Sequence, residues 1–159
     1  MIPSKQELRA ELVRSLETAL ESAERAHQET LAGATHPEAK AEDDKDTRAI
    51  EQSYLARGQA KRVEELETAL AEVKAMTLRA FAESQPAVLS AVVEVEENGE
   101  PKTYFLAPNG GGTALADAKV QVVSPKSPLG KALLGKAAGD ELEVAIGGRR
   151  RELTIVAVR

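Results

Sequence analysis

The sequence predicts an α+β protein whose two kinds of structure are segregated: an N-terminal antiparallel coiled-coil hairpin is followed by a small antiparallel β domain with one short helix. Apolar residues recur at three- and four-residue spacing in two stretches of the first half of the chain. Alternating apolar residues separated by glycine turns then fill the chain from residue 88 onward. The predicted domains are therefore residues 1–77 and 78–159.

The first predicted helix runs from Ser4 to about Ala32, a stretch without proline or glycine. Ser4 is a suitable N-cap, and Glu7 three residues later completes a capping box. Gly33 and Pro37 are expected to end the helix.

The second helix is predicted from a heptad seam formed by Val63, Leu66, Leu70 and Val73. Ile50 and Tyr54 are expected to extend this apolar face backwards along the helix. Two helices of roughly 28 residues would each be about 42 Å long. Because each helix has one narrow apolar stripe, we expect the two stripes to cover each other.

The second half of the chain reads as strands. The predicted strands are residues 88–95, 102–106, 119–123, 141–146 and 151–158, with a short helix at 128–134. The glycine-rich stretch 108–113 lacks the Lys-Ser/Thr ending of a phosphate-binding loop, so we interpret it as a flexible connection.

Composition and charge exclude several classes of function. The chain has no cysteine, which rules out disulfides and thiol chemistry and fits the cytoplasm. No apolar run reaches membrane-spanning length, so no membrane partner is expected. The net charge is −5, and residues 1–77 carry all of it, with 11 basic and 16 acidic residues. Without a basic footprint, binding to duplex DNA is not expected.

The loop predicted between the helices, about residues 33–47, carries four carboxylates in five positions. They are Glu42, Asp43, Asp44 and Asp46. Clustered carboxylates are suitable ligands for Mg²⁺. On these residues alone, a solvated turn that caps the second helix is the favoured interpretation.

The arginine run near the C-terminus and the two histidines are weaker candidates for functional residues. Arg149, Arg150 and Arg151 follow a glycine pair, where they could contact RNA phosphates or an acidic protein face. Protection of an edge strand against pairing is slightly favoured. His27 and His36 do not have the spacing of a metal pair and are expected on the surface.

The segment 124–144, SPKSPLGKALLGKAAGDELEV, resembles the C-terminal signature of the Gre family of bacterial transcript-cleavage factors. In that family a Ser-Pro, a short helix ending in Gly-Lys and an acidic approach to a strand recur in this order. Residues 62–70, RVEELETAL, look like the second coiled-coil helix of the family. The resemblance implies that the β domain is FKBP-like.

The resemblance also implies a partner. Gre factors place the β domain at the rim of the secondary channel of RNA polymerase and extend the hairpin towards the active site. By this comparison, Ser127 and Pro128 fall where family members contact the polymerase. Leu129, Leu133 and Leu134 are expected in the core beside the short helix.

At the hairpin tip, the resemblance implies that Asp43 and Asp46 help to hold the second Mg²⁺ of the polymerase, with Glu42 and Asp44 assisting. The polymerase itself then hydrolyses backtracked RNA, so the chain is an accessory factor without a cofactor of its own and contacts nascent RNA only indirectly. Family cleavage factors have a Glu where this chain has Asp46, and they have flanking Gly and Asn residues that are absent here.

Two other functions stay open. A protein of the same fold could bind polymerase and inhibit or modulate it without supporting cleavage. A coiled-coil adaptor unrelated to polymerase, with the β domain as a peptide-binding module, is a third hypothesis.

Overall fold

The computed structural model describes residues 2–35 and 47–159. The helices are α1 (Lys5–Thr35), α2 (Thr47–Ala75) and α3 (Pro128–Leu133). The strands are β1 (Val92–Glu97), β2 (Glu100–Leu106), β3 (Ala114–Leu115), β4 (Val120–Val123), β5 (Glu141–Ile146) and β6 (Arg149–Val158). The α+β class with helices first and sheet second is confirmed. No helix in the described part of the chain is both long enough and apolar enough to cross a membrane.

The chain forms two compact units. One contains Met1–Ser15 and Ala71–Arg159, and the other contains Leu16–Leu70. The first unit therefore includes the sheet, α3 and the base of both long helices, whereas the described residues of the second belong to the remainder of α1 and α2. A division into functional domains at residues 77 and 78 stays a prediction.

The start of α1 has the capping box that the sequence predicts. The Glu7 amide donates to Ser4 Oγ at 3.2 Å, and the Ser4 amide donates to Glu7 Oε2 at 2.8 Å. The predicted stop at Gly33 is wrong, because α1 continues to Thr35. A single glycine weakens a helix by about 1 kcal/mol without ending it. A Cβ at Gly33 would lie 4.0 Å from Gln52 Nε2 of α2.

The apolar seam of α2 is confirmed near its C-terminal end, where Leu66 and Val73 are buried. Ile50 and Tyr54 do not extend it, since they are 46% and 64% exposed. The seam follows the heptad rather than the large apolar residues. Continued backwards from Val63, the seam consists of Gln59, Ala56, Gln52 and Ala49, all partly buried.

The six-stranded sheet has the order β3-β4-β2-β1-β6-β5. Four neighbouring pairs are antiparallel as predicted, but β2 and β4 are parallel, with Phe105 paired to Val122. The sheet is therefore mixed. The parallel pair arises because the chain turns back through β3, a two-residue strand that the sequence did not predict.

The glycine-rich stretch is a packed loop rather than a free connection. Gly110 has a φ of +85° and approaches α1 so closely that a Cβ there would lie 2.6 Å from Leu12 Cδ1. Beside it, both carboxylate oxygens of Glu11 accept from the Ala116 amide, at 3.0 and 3.2 Å. The loop therefore joins the base of α1 to the β3–β4 region inside the first unit.

Further contacts hold the base of α1 against the segment that follows α2. Arg9 Nη1 donates to the carbonyl oxygen of Met76 at 2.7 Å, and Lys5 Nζ donates to that of Arg79 at 2.5 Å. The Lys5 ammonium also lies 4.4 Å from the centre of the Phe81 ring, a cation–π distance. Burial lowers the pKa of Lys5 to about 8.

The main core lies between α3 and one face of the sheet. Leu129 and Leu133 are buried in it and Leu134 packs against it, which confirms their predicted place. The remaining buried members are Ala87, Ala91, Val93, Val95, Tyr104, Leu106, Val123, Leu142, Val144, Leu153, Ile155 and Val158.

Two glycine-to-alanine substitutions should have opposite effects on stability. Gly110→Ala forces a side chain into a left-handed conformation against Leu12 and should destabilise the chain by about 1–2 kcal/mol. Gly58→Ala lies on the exposed surface of α2 with nothing within 4 Å, so it should stabilise the helix by about 1 kcal/mol. Urea unfolding followed by circular dichroism measures the free energy of unfolding of both variants. Equal changes in this free energy would contradict the packing of the glycine-rich loop.

Candidate functional site

Ser127, a predicted polymerase contact, is the N-cap of α3. Its Oγ accepts from the Gly130 amide at 3.0 Å and donates to the carbonyl oxygen of Ser124 at 3.0 Å. Pro128 occupies the first helical position, where its missing amide costs nothing, and its surface is exposed. Ser127 therefore shapes the loop with its hydroxyl, while Pro128 offers a rigid surface.

The same loop leaves no room for a side chain at Gly130. A Cβ at this position would lie 1.8 Å from the Ser124 carbonyl oxygen. Ser124 itself is buried, and its Oγ accepts from the Lys126 amide at 3.3 Å. The backbone around Ser127 and Pro128 is thus fixed by close packing and by hydrogen bonds.

A groove of about 500 Å³ opens beside this loop. Its lining includes Gly110, Lys126, Ser127, Leu129, Ile146 and Arg151. Lys126 Nζ donates to Asn109 Oδ1 at 2.9 Å, and Asn109 Nδ2 donates to Glu72 Oε2 of α2. The groove thus combines apolar walls with cationic groups.

The three arginines of the basic run have different surroundings. Arg149 and Arg150 are exposed, and Arg150 forms an ion pair with Glu143 on β5. The Arg151 side chain is only 26% exposed and turns towards Glu97. Contact of the run with RNA stays a prediction, but Arg151 also has a structural partner.

Glu97 is the centre of a charged network that sequence reasoning missed. Its two carboxylate oxygens accept from Arg151 Nε at 2.7 Å and from Arg151 Nη2 at 2.8 Å. Lys102 Nζ donates to Glu97 Oε2 at 2.8 Å, and Arg151 Nη2 also reaches Tyr104 Oη at 3.3 Å. The hydrogen bonds from Arg151, and then those from Lys102, lower the pKa of Glu97 to about 2.

The alternation of inward-facing and outward-facing side chains along β1 and β6 indicates this network in the sequence. Glu97 follows Val93 and Val95 at two-residue spacing, and Arg151 precedes Leu153 by two residues. Such spacing places all of these side chains on the inward face of their strands. An inward acid and an inward base on nearby strands indicate a buried ion pair.

The predicted tip carboxylates Glu42, Asp43, Asp44 and Asp46 lie outside the described residues, as does His36. Within residues 2–35 and 47–159, no three acidic, histidine or cysteine side chains are grouped so that they could hold a metal ion. His27 is predicted on the surface, but it is only partly exposed, and its Nδ1 is buried among the described residues.

Comparison with known proteins places the chain in a family. Residues 85–159 match the family model described as "Transcription elongation factor, GreA/GreB, C-term". Transcription elongation factor GreA of Alkalilimnicola ehrlichii is 33% identical over 113 residues, which cover 70% of this chain and 67% of that protein. GreA of Cereibacter sphaeroides is 33% identical over 98 residues, which cover 62% of each chain.

The chain spans about three fifths of the length of the first curated relatives that it matches. A solved structure, GreA factor homolog 1 of Thermus thermophilus, covers 92% of this chain and 94% of its own at 24% identity and a TM-score of 0.40. A TM-score at this level adds nothing to the assignment. The sequence matches suffice: the chain belongs to the GreA/GreB family.

Replacing Glu97 tests the charged network. Glu97→Gln should lower the free energy of unfolding by about 2 kcal/mol at pH 7, because Arg151 keeps its charge and loses its carboxylate. The pKa of Glu97 falls from 4.5 to about 2 on folding, so its stabilisation is complete above pH 4.5 and is lost towards pH 2. The difference between wild type and Glu97→Gln should shrink over that range.

Urea titrations at several pH values measure this difference. Glu96→Gln is the matched control, because Glu96 is the exposed neighbour on β1. A constant difference from pH 7 to pH 2, or an equal effect of Glu96→Gln, would show that the ion pair does not carry the stabilisation.

Proposed function

We propose that this chain is an accessory factor of RNA polymerase that modulates elongation and stimulates cleavage of backtracked RNA by the polymerase. The observation that supports this most directly is the family match over residues 85–159, which contain the ordered Ser127 loop and its groove. In this proposal, the loop and groove dock on the polymerase in the cytoplasm. In the proposal the hydrolysis takes place in the active site of the polymerase, and this chain affects it only through the complex.

The described part of the docking region supports a protein contact. Pro128 offers an exposed, rigid apolar surface, and a neighbouring groove has apolar and cationic walls. Docking surfaces that are already ordered lose little conformational entropy on binding. The hydrogen bonds of Ser127 and the close approach at Gly130 provide that order.

The two long helices suit a factor that reaches into a channel. α1 has 31 residues and α2 has 29, which correspond to about 46 Å and 44 Å of helix. The carboxylates between them, Asp43 and Asp46 with Glu42 and Asp44, have the hard oxygen atoms that Mg²⁺ prefers. In the proposal these carboxylates would help to hold Mg²⁺ in the active site of the polymerase, and the metal would supply activation of water for hydrolysis.

A second candidate is a factor that binds polymerase and inhibits it without supporting cleavage. The sequence feature that favours it is Asp46, which is one methylene shorter than the Glu of family cleavage factors. Metal ligation tolerates errors of only a few tenths of an ångström, so a shorter ligand can abolish ligation while docking is kept.

Neutralising the tip distinguishes the two candidates. Asp43→Asn and Asp46→Asn should each reduce transcript shortening in a backtracked elongation complex by roughly 10²-fold, since each removes a charged ligand while keeping its size. Binding to polymerase should stay within about twofold, measured by fluorescence anisotropy, because the docking loop is unchanged.

Asp117→Asn is the control for this experiment, because Asp117 is an exposed acid on the β3–β4 turn and Asn also tolerates its φ of 54°. If Asp43→Asn and Asp46→Asn both support transcript shortening at the wild-type rate, these two carboxylates do not hold the metal ion.

Changing the exposed proline tests docking. Pro128→Glu should weaken binding to polymerase at least tenfold, because it places a charge on the apolar contact surface while the Ser127 cap is kept. Ala138→Glu, at another exposed position after α3, should bind like wild type. If Pro128→Glu and Ala138→Glu bind polymerase with equal affinity, Pro128 does not lie in the docking surface.

A further inference from the structure

We propose that the distal part of the second unit, residues 23–33 of α1 and 49–60 of α2, opens locally while its proximal part stays folded. The proximal part comprises residues 16–20 of α1 and 63–70 of α2. The proposal rests on the side chains that the two parts place in the seam between the helices. It does not depend on the proposed function.

The proximal part has an ordinary apolar seam. Leu16, Leu66 and Ala69 are 7%, 4% and 9% exposed. Leu20, Val63 and Leu70 are partly buried around them. Burial of large aliphatic side chains is the main source of stability for a pair of helices, so this part should open only with the whole unit.

The distal part has small and polar residues at the corresponding positions. Those on α1 are Ala23, His27, Thr30 and Gly33, and those on α2 are Ala49, Gln52, Ala56 and Gln59. All eight are partly buried. Alanine and glycine remove little apolar surface from water, so closing this part of the seam gains little hydrophobic free energy.

Two polar atoms in the distal seam also oppose its closure. His27 Nδ1 and Gln59 Oε1 are buried and have no hydrogen-bond partner among the described residues. A Cβ built at Gly33 would lie 4.0 Å from Gln52 Nε2. If Gly33 and Gln52 lie opposite each other, antiparallel counting places His27 opposite Gly58, next to Gln59. A buried polar atom without a partner destabilises the closed state, whereas water would satisfy both atoms in an open state.

The large apolar residues of the same stretch of α2 lie away from the seam. Ile50, Tyr54 and Leu55 are 46%, 64% and 53% exposed. The Tyr54 ring instead lies 5.0 Å from the guanidinium of Arg57. The distal part therefore buries polar groups and exposes apolar ones, a conflict between local sequence and packing that marks a segment with competing states.

Local opening of this kind is an equilibrium that a partner can shift. A molecule that binds the closed distal part selects it, and one that binds Ile50, Tyr54 and Leu55 in a rearranged helix selects the open state. The distal part would thereby act as a conformational switch, while the proximal part of the same helix pair stays folded.

Hydrogen exchange of the full chain, followed by mass spectrometry, measures the opening. Amides of residues 52–60 should exchange at least tenfold faster than those of 66–74, although both segments lie beyond the first turn of α2. Equal protection of the two segments would overturn the proposal.

Substitutions in the seam provide the second readout. Gln59→Leu, and independently His27→Leu, should slow exchange of residues 52–60 by roughly tenfold and leave residues 66–74 unchanged. Gln28→Leu makes the matched change at an exposed position of α1 and should slow neither segment. If the seam substitutions accelerate exchange, or if Gln28→Leu slows it equally, the polar seam is not the cause of the opening.

Discussion

The apolar packing at the base of the two long helices is the constraint on which the first unit depends. Leu8, Leu12 and Val73 are completely buried there. A Cβ at Gly110 would lie 2.6 Å from Leu12 Cδ1, and the φ of Gly110 is +85°, so a larger residue is strained there. Beside it, Glu11 accepts from the Ala116 amide. The glycine-rich loop, the short strand after it and the helix base therefore form one packed structure. The same loop also lines the groove beside Ser127.

Elements specified by neighbouring residues could be predicted from the sequence. The Ser4–Glu7 capping box, the short helix after Ser127 and the strands flanking the glycine turns all rest on contacts within a few positions. The packing of the glycine-rich loop could not be predicted in this way, because its partner Leu12 is distant in sequence. For Glu97 and Arg151, strand alternation indicates two inward charges, but their pairing depends on strands that are distant in sequence. Ile50 and Tyr54 are exposed, contrary to the prediction, because the heptad places small and polar side chains in the seam at this end of α2.

The candidate functions are divided between two parts of the chain with different physical requirements. The loop around Ser127 is held by an N-cap, by close packing at Gly130 and by a buried Ser124, which suits a surface that docks as a rigid body. The distal seam contains alanine, glutamine and histidine, which suits a segment whose closure depends on its surroundings. Family membership identifies the protein class, and these two features are the parts of the chain on which the proposals rest.

The central claim is that the chain enables polymerase to shorten backtracked RNA. The most direct test adds the purified wild-type chain to a stalled, backtracked elongation complex with a labelled transcript at low Mg²⁺ and follows transcript length. The account predicts progressive shortening that requires both the chain and Mg²⁺. An unchanged transcript, in a complex to which the chain demonstrably binds, would contradict the cleavage role and identify the chain as an inhibitor or modulator.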